Sequence, residues 1–138
     1  MVYQYRYKFY LNANHFVVIG GRQGEPHSHC FELTVEIGSV AGNETIAFQS
    51  IEKQIEALMA PYQNSLLNEK PPFDTIMPTL ENICIYFKDE ISRLLLEMNW
   101  VLLSIEASET PSRSFMMTVD DVDFVRETIY KNNKVYYR

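Results

Sequence analysis

Residues 3–19 alternate in character from one position to the next. Tyr3, Tyr5, Tyr7, Phe9, Leu11, Ala13, His15, Val17 and Ile19 share one phase. Gln4, Arg6, Lys8, Asn12 and Asn14 take the other, with Tyr10 and Phe16 as exceptions. A period of two sends alternate side chains to opposite faces of an extended chain, so this segment is expected to be one long strand with a single core-facing side. The turn-rich stretch Gly20-Gly21-Arg22-Gln23-Gly24-Glu25-Pro26 follows. The same alternation then resumes: His27, His29, Phe31, Leu33, Val35 and Ile37 stand against Glu32, Thr34 and Glu36. Two half-apolar strands joined by glycines form an antiparallel pair and need a second layer to cover the apolar face.

The period then changes. Phe48, Ile51, Ile55 and Leu58/Met59 recur at helical spacing up to Pro61, and a loop with Pro71 and Pro72 separates them from a second apolar stripe. That stripe, Leu80, Ile83/Cys84, Phe87, Ile91, Leu94/Leu95 and Met98, follows Pro78-Thr79, where Thr79 is placed to cap the helix and Glu81 to face its positive end. Val101, Leu103, Ile105, Ala107 and Glu109 return to period two, and Phe115, Met117 and Val119 follow a turn at Pro111-Ser112-Arg113. The order β-β-α-α-β-β predicts an α+β domain, an antiparallel sheet with two helices on one face, over residues 1–119. Residues 120–138 are expected to be an extension packed on the same domain.

With 138 residues the chain can bury a full core without staples, so Cys30 and Cys84, which lack a CxxC spacing, are read as reduced thiols. A formal charge of −6 offers no broad footprint for nucleic acid or an anionic membrane. No window approaches the roughly 20 apolar residues of a membrane span, and the alternating N-terminus has no signal-peptide h-region; a cytoplasmic location is expected.

The chain has three histidines, His15, His27 and His29, and the alternation puts all of them on the inward face. A hairpin through residues 20–26 brings His15 beside the other pair. Three neutral imidazoles suit Zn²⁺ and leave a fourth position open. An inward histidine is also a common satisfied core residue, and spacing alone leaves both readings standing. Glu109 is the second anomaly, because it closes an apolar run in the inward phase. Its carboxylate either passes the sheet edge into solvent or anchors a ligand with paired N–H donors, such as a 2-amino-4-oxopterin.

Several segments resemble the 6-pyruvoyltetrahydropterin and 6-carboxytetrahydropterin synthases. Leu11-Asn12-Ala13-Asn14-His15 is similar to their F-x-A-x-H, and His27-Ser28-His29-Cys30-Phe31-Glu32-Leu33 to their H-G-H strand. Pro78-Thr79-Leu80-Glu81-Asn82 matches P-T-x-E-N, Ala107-Ser108-Glu109-Thr110 matches the E-T strand end, and Leu67-Asn68 falls at the family's L-N. The resemblance implies the tunnelling fold and zinc on His15, His27 and His29. It also implies a pterin held by Glu109 and Thr110, and sites lying between the subunits of a homo-oligomer, usually a hexamer.

The departures concern proton transfer. Gln23 stands where the family has a cysteine, Gln63 and Asn64 where it has an Asp-His pair, and Ala47 where it has an aspartate. Glu25, two residues before His27, is the candidate replacement base, although a loop glutamate is more often a solvated surface residue. Cys30 is in the wrong strand phase, and Arg22 and Arg113 are candidates for an anionic substrate tail. Three functions follow: a zinc-dependent lyase acting on a reduced pterin such as 7,8-dihydroneopterin triphosphate, an inactive zinc- and pterin-binding descendant, or a structural oligomer.

Overall fold

The computed structural model describes residues 4–39 and 48–118. Its elements, in order, are β1 (Gln4–His15), β2 (Val18–Ile19), β3 (Arg22–Gln23), β4 (His27–Ser39), α1 (Phe48–Met59), α2 (Leu80–Glu97), β5 (Trp100–Thr110) and β6 (Arg113–Thr118). Four strands form one antiparallel sheet in the order β1-β4-β5-β6, and β2 and β3 make a separate hairpin. The expectations for Val119 and for residues 120–138 fall outside the described residues.

One face of the sheet carries the core. Leu11, Phe31, Leu33, Val35, Ile37, Ile105 and Ala107 have no exposed surface or almost none, and α1 and α2 cover them with Ile51, Ile55, Ile83, Phe87, Ile91 and Leu95. The other face is polar, with Arg6 on Glu36 at 2.7 Å and Lys8 on Glu32 at 3.1 Å. Both cysteines are free: Cys30 is exposed on the polar face, and burial pushes the Cys84 thiol up to about 11, which makes it a poor nucleophile.

The first strand is shorter than residues 3–19. It stops at His15, because Asn68 clamps the next residue, accepting from Phe16 N at 2.9 Å and donating to Phe16 O at 3.0 Å. Val18 and Ile19 then pair with Gln23 and Arg22 across Gly20 and Gly21, whose φ values of 60° and 78° suit a two-residue hairpin loop. Both apolar residues of β2 are exposed, so the alternation there belongs to a loop and not to the core strand.

The inward phase of β5 also differs from expectation. Glu36 faces Ser104 and Ile37 faces Leu102, so Leu103 is an extra, bulged residue. Before it Trp100 and Leu102 join the core cluster while Leu103 is half-buried, and Val101, expected inward, is buried but lies outside that cluster. Gly38 leaves room for the bulge, since a Cβ there would lie 3.3 Å from the Leu103 side chain. Phe48, expected on the buried stripe of α1, is 42% exposed at the first turn and rests its ring on Tyr5 and Tyr7.

Helix α2 begins where Thr79 predicts. The Thr79 Oγ1 accepts from Asn82 N at 3.1 Å, and Asn82 Nδ2 donates to Met77 O at 2.9 Å, which fixes the chain just before the helix. Asn99, at φ 64°, ends it in the left-handed conformation that asparagine tolerates. Replacing Thr79 with alanine is expected to lower stability by about 1 kcal/mol. A urea denaturation midpoint shifted down, with the folded far-UV circular dichroism spectrum retained in the absence of urea, is the result to look for.

Candidate metal centre

Direct cross-strand pairing assembles the three histidines. His15 is the register partner of His27, and Ala13 is that of His29, so one end of the β1–β4 ladder places all three imidazoles on the core side. Ring centroids are 4.8 Å apart for His15–His27, 5.1 Å for His15–His29 and 4.6 Å for His27–His29. Phe31 lies beneath, edge-on at 5.2 Å to His15 and tilted at 5.5 Å to His29, so the core ring supports the site from below.

The connection between α1 and α2 holds β1 in place. Asn12 N donates to Gln63 Oε1 at 3.0 Å, Gln63 Nε2 donates to Tyr10 O at 2.8 Å, and Asn14 N donates to Ser65 O at 2.8 Å. Asn64, at φ 58°, donates its N–H to Asn12 O at 2.6 Å. Residues 63–68 thus act as a substitute strand along the outer edge of β1, ending in the Asn68 clamp beside His15. The sequence motif at Leu67-Asn68 located this pair; its work as a buried plug and an edge clamp needed the paired backbone to be seen.

Tautomers are set by backbone carbonyls. His15 donates Nδ1–H to Pro78 O and His27 donates Nδ1–H to Glu25 O, each at 2.8 Å, since a carbonyl can only accept. In the neutral ring each Nε2 is therefore a lone pair, the form a metal requires. His15 is 2% exposed, and the Nε2 atoms of His15 and His29 are buried with no hydrogen-bond partner. Burial, opposed by the Glu109 carboxylate, holds His29 below the usual imidazole value and keeps it neutral to lower pH.

The group fits a metal ion. One ring nitrogen from each histidine lies within 4.8 Å of the others. Donors about 2.1 Å from one tetrahedral ion stand about 3.4 Å apart, so the widest pair closes by a little over an ångström when an ion binds, a movement that rotation of the rings supplies. The orphaned, buried lone pair of His15, with its tautomer fixed, is poor core design and good ligand design.

Glu109 joins this cluster at a second bulge. Ser108 faces Ser114 and Thr110 faces Arg113, leaving Glu109 as the extra residue of β5. Its Oε1 lies 4.0 Å from His15 Nε2 and its Oε2 3.9 Å from His29 Nε2. Thr110 ends the strand with its hydroxyl 3.3 Å from that of Ser112, and the exposed Arg113 lies opposite it. Glu25 is exposed in the connection before β4, and it is its backbone carbonyl that orients His27. Arg22, in β3, is also exposed.

Two depressions meet at this end of the sheet. One of about 390 Å³ is lined by Asn12, Asn14, Ser28, His29 and Asn64 among others; a second of about 350 Å³ is lined by Tyr10, Glu106, Glu109 and Thr110 among others. Cys30 lines both. Among the described residues no helix is long and apolar enough to cross a membrane.

A family model described as 6-pyruvoyl tetrahydropterin synthase matches residues 4–119. The 6-pyruvoyl tetrahydropterin synthase of Caenorhabditis elegans has a similar structure, with TM-score 0.71 and 15% identity over 87% of this chain and 97% of that one. A Plasmodium vivax 6-pyruvoyltetrahydropterin synthase with a catalytic glutamate changed to alanine has TM-score 0.63 and 13% identity, covering 86% of this chain and 99% of its own. The Plasmodium falciparum enzyme has TM-score 0.57 and 17% identity, covering 84% and 96%. No curated protein sequence matches significantly.

Proposed function

Because the chain belongs to the 6-pyruvoyl tetrahydropterin synthase family, we propose that it is a zinc-dependent pterin synthase-like lyase acting on a reduced pterin such as 7,8-dihydroneopterin triphosphate. The observation that carries this is the convergence of two buried, unpartnered imidazole Nε2 atoms and the Glu109 carboxylate at one end of the sheet. His15, His27 and His29 would hold the ion, which when bound supplies a Lewis acid that polarises side-chain oxygens of the substrate, acidifying a hydroxyl or the C–H beside a carbonyl.

The chain's own residues do the rest. Glu109 is placed to accept N–H donors from the amidine-like edge of a pterin, with Thr110 beside it on the same rim. Open depressions at the sheet end support closure by a second copy of the chain, and a homo-oligomer, a hexamer as in the family, is part of the proposal. Arg22 and Arg113 are the cations proposed for an anionic substrate tail.

Proton transfer is assigned to Glu25. Gln63 cannot supply it, because an amide does not titrate and both ends of this one are bonded to the β1 backbone. Asn64 and Gln23 are amides too. The Plasmodium vivax protein shows that a glutamate is a catalytic residue in a chain of this fold, and Glu25 stands two residues before His27. Its exposed carboxyl has the freedom to reach a bound substrate, while its backbone carbonyl keeps His27 oriented.

The test uses zinc-loaded protein and 7,8-dihydroneopterin triphosphate, with release of inorganic triphosphate and formation of a new pterin as readouts. Glu25→Gln is expected to reduce turnover by about 10²–10⁴-fold, the range for a general base, and to leave zinc content unchanged because the orienting carbonyl is main-chain. The amides at positions 23, 63 and 64 favour a second reading, a zinc- and pterin-binding protein without turnover. Tight pterin binding with no product, from parent and variant alike, would select it.

A further inference from the structure

We infer that Glu109 is a fourth metal ligand in the substrate-free protein, completing a three-histidine, one-carboxylate centre. The inference rests on the metal reading above and is independent of which pterin binds. Its basis is the electrostatics of four converging groups. His15 has committed its only proton to Pro78 O, so the Nε2 that faces Glu109 is a lone pair in the neutral ring. His29 turns a second buried Nε2 towards the other carboxylate oxygen. The lone pair on His15 Nε2 facing a carboxylate oxygen is repulsive, and a cation shared between them relieves it.

A proton fills that role poorly. An imidazolium–carboxylate hydrogen bond needs about 2.7–2.9 Å between heavy atoms, and the separations here are 4.0 Å and 3.9 Å. Donors bound about 2.1 Å from one tetrahedral ion stand about 3.4 Å apart, so each of these pairs closes by only about half an ångström to share one. The carboxylate is thus as near to two imidazoles as the imidazoles are to one another, given nitrogens within 4.8 Å. Glu109 follows the buried Ile105 and Ala107 in the inward phase, and the bulge between Ser108 and Thr110 leaves it without a β6 partner. An incoming substrate with paired N–H donors would compete with the ion for the same oxygens, so ligand release and substrate capture share one side chain.

Zn²⁺ affinity by chelator competition and the visible spectrum of Co²⁺-loaded full-length protein test this without any activity assay. Glu109→Gln is expected to weaken Zn²⁺ binding by at least about tenfold and to change the Co²⁺ bands of substrate-free protein. Glu109→Ala is expected to regain the parent bands when acetate is added, which also guards against a folding defect in the first variant. Unchanged affinity and bands in Glu109→Gln would overturn the inference. So would lowered affinity with unchanged bands and no acetate effect, which would leave Glu109 a charge-only role. A parent chain that takes up neither ion would overturn both this inference and the zinc reading, whereas metal uptake indifferent to Glu109 removes this inference alone.

Discussion

His15→Ala is expected to bind Zn²⁺ roughly 10²–10³-fold more weakly than the parent chain. Structural zinc sites contribute about 10–16 kcal/mol over four ligands, so a single imidazole accounts for about 2.5–4 kcal/mol. His15 is the strictest of the three donors. It is 2% exposed, its tautomer is fixed by Pro78 O at 2.8 Å, and its Nε2 has no other partner. Alanine also strands the buried Pro78 carbonyl, which adds a stability loss of about 1–3 kcal/mol. His15→Asn separates the two effects, since its amide can still donate towards Pro78 O and has nothing in the place of Nε2. Metal analysis and chelator titration should find both variants deficient in zinc, with Asn the more stable to urea. Parent-like zinc affinity in both would remove His15 from the centre.

Phe31→Ala is expected to cost about 3–5 kcal/mol in folding stability, a large part of the roughly 5–15 kcal/mol that holds a domain together. The ring has no exposed surface, and it touches both the apolar core and the undersides of His15 and His29. Its removal leaves a cavity that the sheet and helices close only in part, because around Phe31 strand β4 is held by the uninterrupted ladder to β1 and by its pairing with β5. Urea denaturation of metal-free protein measures the loss, and a zinc titration of the surviving folded fraction should show weaker binding as the imidazoles lose their floor. Phe31→Leu, which keeps most of the volume, should fall between alanine and the parent in both measurements.

These two residues also show how far local pattern reaches. His15, His29 and Phe31 share a strand phase, and a period of two suffices to put them on one face without any knowledge of the rest of the chain. The helix start is equally local: Thr79 caps α2 because its hydroxyl meets an N–H three residues on. Gln63 and Asn68 are different. Their amides bond to Tyr10, Asn12 and Phe16, more than fifty positions away in sequence, so no window reveals that they serve as edge pairs for β1. The true end of the first strand was hidden for the same reason: Val17 and Ile19 keep the apolar phase, and the Asn68 clamp that ends pairing comes from a distant loop.

The alternation of apolar and polar residues, the two helical stripes and the capping threonine belong to the sequence alone, because each arises from neighbours within a turn or a strand. The α+β order and the common face of the three histidines follow from them. The tertiary structure decided the bulges at Leu103 and Glu109, the carbonyl partners that set the histidine tautomers, and the approach of a carboxylate to two buried nitrogens. A bulge depends on the register between two chains, and a tautomer on whichever carbonyl folding brings within reach, so neither is written into one strand's pattern.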